Sequence, residues 1–146
     1  MSLGVVLLAT GPCGNPQTPT TRAGWIAIPS LGVQMQAPAD STVQGDATTA
    51  FVSNSAFKVN LFVVDQSSAP TAAEQRTRLD SEPGAVSFTR ADAGATTWRF
   101  DYTRPSGTAG TVARIAPGRP LDCGVHNVTP AVAAAAAAAC ATVEKL

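Results

Sequence analysis

The sequence predicts an α+β fold: an antiparallel β-sheet of about six strands, a helix directly after the strong strand 57–65, and a C-terminal helix over 130–142 packed on the sheet. Three observations predict it. Apolar patterning runs in the order strands, helix, three strands, helix. The three strands are separated by Asp92-Ala93-Gly94 and Pro105-Ser106-Gly107, turn sequences at spacings that suit antiparallel hairpins. The third is an unbroken alanine run, Ala133 to Ala139, standing behind Thr129 and Pro130. Threonine caps a helix N-terminus well, proline fits the first helical position, and alanine has the highest intrinsic helix propensity.

Taken in order, Trp25 to Ile28 and Val33 to Gln36 read as short strands, interrupted by Pro29 and Gly32 and closed by Pro38. Asp40 to Asp46 reads as a turn, and Ala47 to Ser53 as a strand alternating around Phe51. Phe57 to Asp65 carries the strongest strand pattern. Phe57, Val59, Leu61 and Val63 share one face, and Phe62 and Val64 make the other face apolar toward its end, as expected for an interior strand. Thr71 and Glu74 then form a capping box, hydroxyl at the N-cap and carboxylate three residues on, predicting a helix from Ala72 to about Ser81. Its apolar face is thin, Ala72, Ala73 and Leu79, with Gln75, Arg76, Arg78 and Asp80 expected in water and Pro83-Gly84 as the stop.

Ala85 to Arg90, Thr96 to Thr103 and Thr111 to Ile115 supply three further strands, the last reading as extended chain up to Asp122. Trp98 and Phe100 fall on one parity of the middle strand and are expected in the core. In the final helix Val132, Ala136, Cys140 and Val143 share a face small enough to lie close on a sheet, and Glu144 to Leu146 end it at the surface.

Cys123 stands at the end of the preceding strand and Cys140 in the third turn of the helix. A helix folding back across that strand would bring the two sulfurs together, and a disulfide there would stabilise the fold by roughly 3 kcal/mol. Two rival readings use His126. Cys123, His126, Cys140 and Cys13 could together ligand zinc, though at spacings unlike those of compact zinc modules, and Cys123 with His126 could form a nucleophile and base. A single histidine in a polar turn is otherwise solvated. No cofactor motif is present in the sequence, and neither a metal nor a catalytic residue is assigned.

The 146 residues suit one domain, residues 23–146, preceded by a signal remnant or tether over 1–22. Formal net charge is zero and only 14% of residues are charged, which gives no basis for steering toward nucleic acid. Leu3 to Ala9 is a short apolar run that resembles the core of a bacterial secretion signal. Leu8-Ala9-Thr10-Gly11 followed by Cys13 is similar to a lipoprotein signal, in which the cysteine is acylated and tethers the protein to a membrane. No Lys or Arg precedes the run and Pro12 stands before the cysteine, so the alternative makes Val5 to Leu8 a strand or helix of the folded domain. Asn15 to Arg22, with Pro16 and Pro19 among threonines, suits an extended lead-in.

The succession Leu31-Gly32-Val33, Ala37-Pro38, the strand Phe57-Lys58-Val59-Asn60-Leu61, a helix, paired strands, a strand ending at Cys123 and a helix bearing Cys140 resembles bacterial envelope lipoproteins of the PsbP-like α/β-sandwich type. The resemblance spans about Leu31 to Leu146 and implies a binding or assembly-stabilising subunit with no catalytic residues to carry over. The expectation is therefore a non-enzymatic, extracytoplasmic domain, in the periplasm, on the cell surface or secreted, that binds an unknown protein or envelope component. The alternative is a hydrolase whose carboxylates, among Asp65, Glu82, Asp92, Asp101 and Asp122, converge in a pocket with raised pKa values. Asn127-Val128-Thr129 matches an N-glycosylation pattern, and Thr129 is read as the helix cap.

Overall fold

Strand-forming runs with one apolar parity must bury that parity, and the chain does so on both faces of one large sheet. The computed structural model describes residues 22–81 and 85–146. The expected signal segment, Cys13, Glu82 and the helix stop Pro83-Gly84 lie outside them. Among the described residues the chain runs β1 (Trp25–Ile28), a 3-10 turn (Pro29–Leu31), β2 (Val33–Gln36), β3 (Thr42–Gly45), β4 (Thr49–Ser53), β5 (Lys58–Val63), α1 (Ala72–Ser81), β6 (Ser87–Ala93), β7 (Trp98–Thr103), β8 (Ala109–Ile115), β9 (Leu121–Val128), α2 (Pro130–Cys140) and β10 (Glu144–Lys145). A seven-stranded sheet has the order β3-β4-β5-β9-β8-β7-β6, and a second sheet has the order β1-β2-β10. Every strand pair is antiparallel.

The α+β class and the two helices are as the sequence predicts, but among the described residues the strands number ten in two sheets rather than about six in one. Three elements account for the difference. Thr42–Gly45, expected as turn, pairs with β4 as an edge strand. Glu144 and Lys145 are exposed at the surface as expected, and they also pair with β2, while the Leu146 N–H donates to the Gly32 carbonyl at 2.9 Å. The extended stretch expected to run from Thr111 to Asp122 is two strands, β8 and β9, reversed over residues 116–120, where Gly118 takes φ +88°. Cys123 is therefore inside a strand rather than at its end, and β9 is the middle strand of the seven.

Both helices start as their caps dictate. The Thr71 N–H donates to Glu74 Oε2 at 2.8 Å and the Glu74 N–H to Thr71 Oγ1 at 3.2 Å, completing the capping box of α1. The Val132 N–H donates to Thr129 Oγ1 at 3.3 Å at the start of α2. This helix ends two residues short of the expected 142: Thr142 turns its hydroxyl back to the Ala139 carbonyl at 2.7 Å and accepts the Gln36 N–H at 2.9 Å. One side chain thus adds a second hydrogen bond to the Ala139 carbonyl, which also accepts the Thr142 N–H at 3.0 Å, and binds the helix end to β2.

Each face of the large sheet carries its own core. On the first face Val52, Val59, Leu61, Cys123 and Val125 are buried beneath α2 and the smaller sheet, joined by Ile28, Leu31, Val33 and Met35. The face of α2 against the sheet is Ala133, Ala136, Ala137 and Cys140, with Ala139 also buried; Val132 and Val143 of the expected stripe are only half-buried. On the second face Leu79 of α1 covers Trp98, Phe100, Tyr102 and Val112, the core role expected for Trp98 and Phe100.

Gly124 of β9 lies on this second face, and close approach of the neighbouring backbone explains the glycine. A Cβ there would stand 2.1 Å from the Thr111 carbonyl oxygen, and backbone in mid-sheet cannot step aside. Gly124→Ala is expected to destabilise the domain by about 1–3 kcal/mol, as overpacking does. The denaturant midpoint of the purified variant checks this, and an unchanged midpoint would show that the β8–β9 spacing is soft.

Candidate functional site

Alternation along β9 sends Cys123 and Val125 to one face and Asp122 and Gly124 to the other, so the chemistry-bearing residues around Cys123 separate by parity. On the first face Cys123 and Cys140 form a disulfide, their Cα atoms 5.8 Å apart. Both are buried, at 0% and 3% exposure. The pairing expected from the sequence is thus present, and it uses the sulfurs that the zinc and nucleophile readings required. Among the described residues no cluster of three or more His, Cys, Asp or Glu side chains could hold a metal ion.

His126 lies on the second face, and not in a turn. Ala109 faces Val128 and Thr111 faces Val125, so His126 and Asn127 share the place opposite Gly110 as a β-bulge. Asn127 takes the left-handed conformation at φ +55°, which asparagine tolerates better than most residues. The bulge aims the imidazole at the buried Tyr102: Nδ1 hydrogen-bonds the phenol oxygen, and the rings stack with centroids 5.9 Å apart. The single histidine is thus engaged with a core tyrosine, where the sequence reading left it solvated.

The acids singled out in the sequence do not converge. Asp65 caps an exposed turn, accepting the Ser67 hydroxyl at 2.7 Å and the Ser67 N–H at 3.0 Å. The Ser67 hydroxyl, with the Ser67 N–H second, holds its carboxyl below the ordinary aspartate range, the opposite of the raised value a proton donor needs. Asp92 pairs with Arg90 on β6. Asp101 accepts from Arg99 at 2.6 Å and from the Thr111 hydroxyl at 2.6 Å on the first face. Asp122 is gripped on the second face by Arg114, Nε at 2.7 Å and Nη2 at 3.1 Å. Glu82 is outside the described residues.

What the second face offers instead is a groove. Helix α1 covers β7 and β8 and leaves β5, β4 and β3 open, so a cleft of about 240 Å³ runs between the helix and strands β5 and β9. Asn60 and Phe62 of β5, Gln75, Arg78 and Leu79 of α1, and Gly124 and His126 of β9 line it. Phe62 is 43% exposed and meets the equally exposed Phe51 of β4 edge-on, with centroids 6.2 Å apart. Gln75, expected in water, is only 8% exposed and lines the cleft. The Asn60 Oδ1 is buried with no hydrogen-bond partner. Of the residues lining it, His126, Cys123 and Asp122 figure in the zinc, nucleophile and hydrolase readings of the sequence; the others do not, since an Asn and a Gln 15 positions apart signal nothing until the fold brings them to one cleft.

No family model matches the chain, and no characterised protein matches it significantly in sequence.

Proposed function

We propose that the protein is a non-enzymatic, extracytoplasmic binding domain of the bacterial cell envelope, akin to PsbP-like α/β-sandwich lipoproteins, that engages a protein or envelope component through the open second face of its sheet. The observation that carries the compartment is the Cys123–Cys140 disulfide. Stable disulfides belong to oxidising surroundings such as the periplasm or the cell exterior and are rare where glutathione and thioredoxin keep thiols reduced. Support for binding comes from the groove and from the neighbouring Phe51 and Phe62, since exposed aromatics beside unmatched polar groups are common at contact surfaces. The arginine partners of Asp92, Asp101 and Asp122 and the capped turn around Asp65 account for those acids without a reaction. In this reading Cys13 either carries an acyl tether or leaves with a cleaved signal.

Intact mass of protein isolated from its native host, alkylated before and after reduction, tests the compartment and the tether together. Cys123 and Cys140 are expected to resist alkylation until reduced, and Cys13 is expected either to carry acyl mass at a new N-terminus or to be absent with the cleaved signal. Free thiols at Cys123 and Cys140 would reject the extracytoplasmic reading.

A further inference from the structure

We infer that the groove between α1 and strands β5 and β9 binds a sugar residue that carries a carboxylate, such as a hexuronic acid unit of an acidic polysaccharide. The inference deepens the binding reading above and rests on it for the natural source of the ligand, though not for the chemistry of the site.

The first argument is unmet hydrogen bonding. Buried polar side chains nearly always find partners, so each one that does not calls for an explanation. One such atom lies in this cleft: Asn60 Oδ1 is buried and unpartnered. Beside it the side chain of Gln75 lines the cleft and makes no hydrogen bond to any described residue, so its amide is open to an arriving group. The last torsion of an asparagine is soft, so a donor arriving in the cleft can draw the Asn60 carbonyl toward it. Gly124 adds no side chain to the floor, which leaves the room open.

The second argument is the kind of group that satisfies such a pair. An amide offers two N–H donors and a carbonyl acceptor, and a sugar hydroxyl is at once donor and acceptor, so two amides match hydroxyls of one ring. An aliphatic ligand would leave both amides unpaired. Phe62, on the wall of the same cleft, presents the exposed aromatic surface on which the C–H face of a pyranose ring packs. A cleft of about 240 Å³ lies below the range typical of drug-sized ligands and suits a single ring.

The third argument is charge. Arg78 lines the cleft, is exposed, and pairs with no carboxylate among the described residues. The one acid lining the cleft among the described residues, Asp122, already has both oxygens on Arg114. A guanidinium with no carboxylate partner among the described residues, beside two amides, favours a ligand whose hydroxyls sit next to a carboxylate, which arginine binds in a fork-shaped, charge-assisted pair.

Titration of the ¹⁵N-labelled, disulfide-bonded protein with glucuronate, glucose and inorganic phosphate, followed by NMR, tests this. Glucuronate is expected to shift the side-chain amide signals of Asn60 and Gln75 saturably, and glucose to do so roughly tenfold more weakly for want of the charged pair. Arg78→Gln, on an exposed helix position, should bring glucuronate down to the glucose level, and Asn60→Leu should weaken both. Phosphate should leave the two amide signals in place. Absence of saturable movement with glucuronate, indifference to Arg78→Gln, or equal movement with phosphate would overturn the inference. Such a failure with Cys123 and Cys140 still protected in the native host leaves the extracytoplasmic binding domain standing. Free thiols there would remove that reading and leave the titration valid.

Discussion

Replacing Asp122 with alanine is expected to destabilise the domain by about 3 kcal/mol, because it strands a buried cation. Arg114 has only 10% of its side chain exposed; its guanidinium lies 5.0 Å over the Trp98 ring and gives one further hydrogen bond, to the Pro70 carbonyl at 2.9 Å. The carboxylate of Asp122 is its only anionic partner among the described residues. Breaking a buried pair from one side typically costs about 3–5 kcal/mol, whereas replacing both members with apolar residues is often neutral. The low end applies here because Asp122 keeps 27% of its side chain exposed, so water reaches one side of the cation in the variant. Urea unfolding of Asp122→Ala, Arg114→Met and the double variant separates the contributions. The double variant should recover most of the loss. If it is as unstable as Asp122→Ala alone, the ion pair is not the cause and the local packing of β8 on β9 is.

That pair also joins the parts of the fold that the sequence shows least clearly. Arg114 and Asp122 stand opposite each other across the β8–β9 hairpin, and its second strand escapes a reading by pattern. Leu121, Cys123 and Val125 do alternate with Asp122, Gly124 and His126. Gly124 and the left-handed Asn127 look like turn residues, however, when the reason for each is a neighbouring backbone or a bulge. The two helices are legible because their signals are local: a capping box, a Thr-Pro start and an alanine run act within one turn of chain. Strands β3 and β10, four and two residues long, carry too little alternation to be seen and exist because partners found through tertiary packing accept them. The disulfide is legible as a pair of small buried-type residues on a strand and the helix that returns over it. The groove is not, since its amides acquire meaning only when the fold sets Gln75 of α1 and Asn60 of β5 on the walls of one cleft.

Removing both sulfurs, as Cys123→Ala with Cys140→Ala, is expected to lower stability by about 3 kcal/mol and to loosen α2 more than the sheet beneath it. The bond closes a segment with a sequence separation of 17, for which the chain-entropy model gives roughly 3 kcal/mol from the unfolded state alone. The helix has little else to hold it. An 11-residue helix is too short to persist alone in water, and α2 meets the sheet mainly through alanines, each offering a single methyl worth about 0.8 kcal/mol when fully buried. By contrast β9 is paired on both sides and buries Leu121 and Val125. Amide hydrogen exchange on the double variant should therefore show protection lost first from Ala136 to Cys140, with Cys123 to Val125 still protected at the same denaturant concentration. Equal loss in helix and strand would mean that α2 and the sheet unfold as one unit and that the alanine face binds more tightly than its area implies. An unchanged unfolding midpoint would mean that the cross-link contributes little stability, leaving its role to the compartment in which it forms.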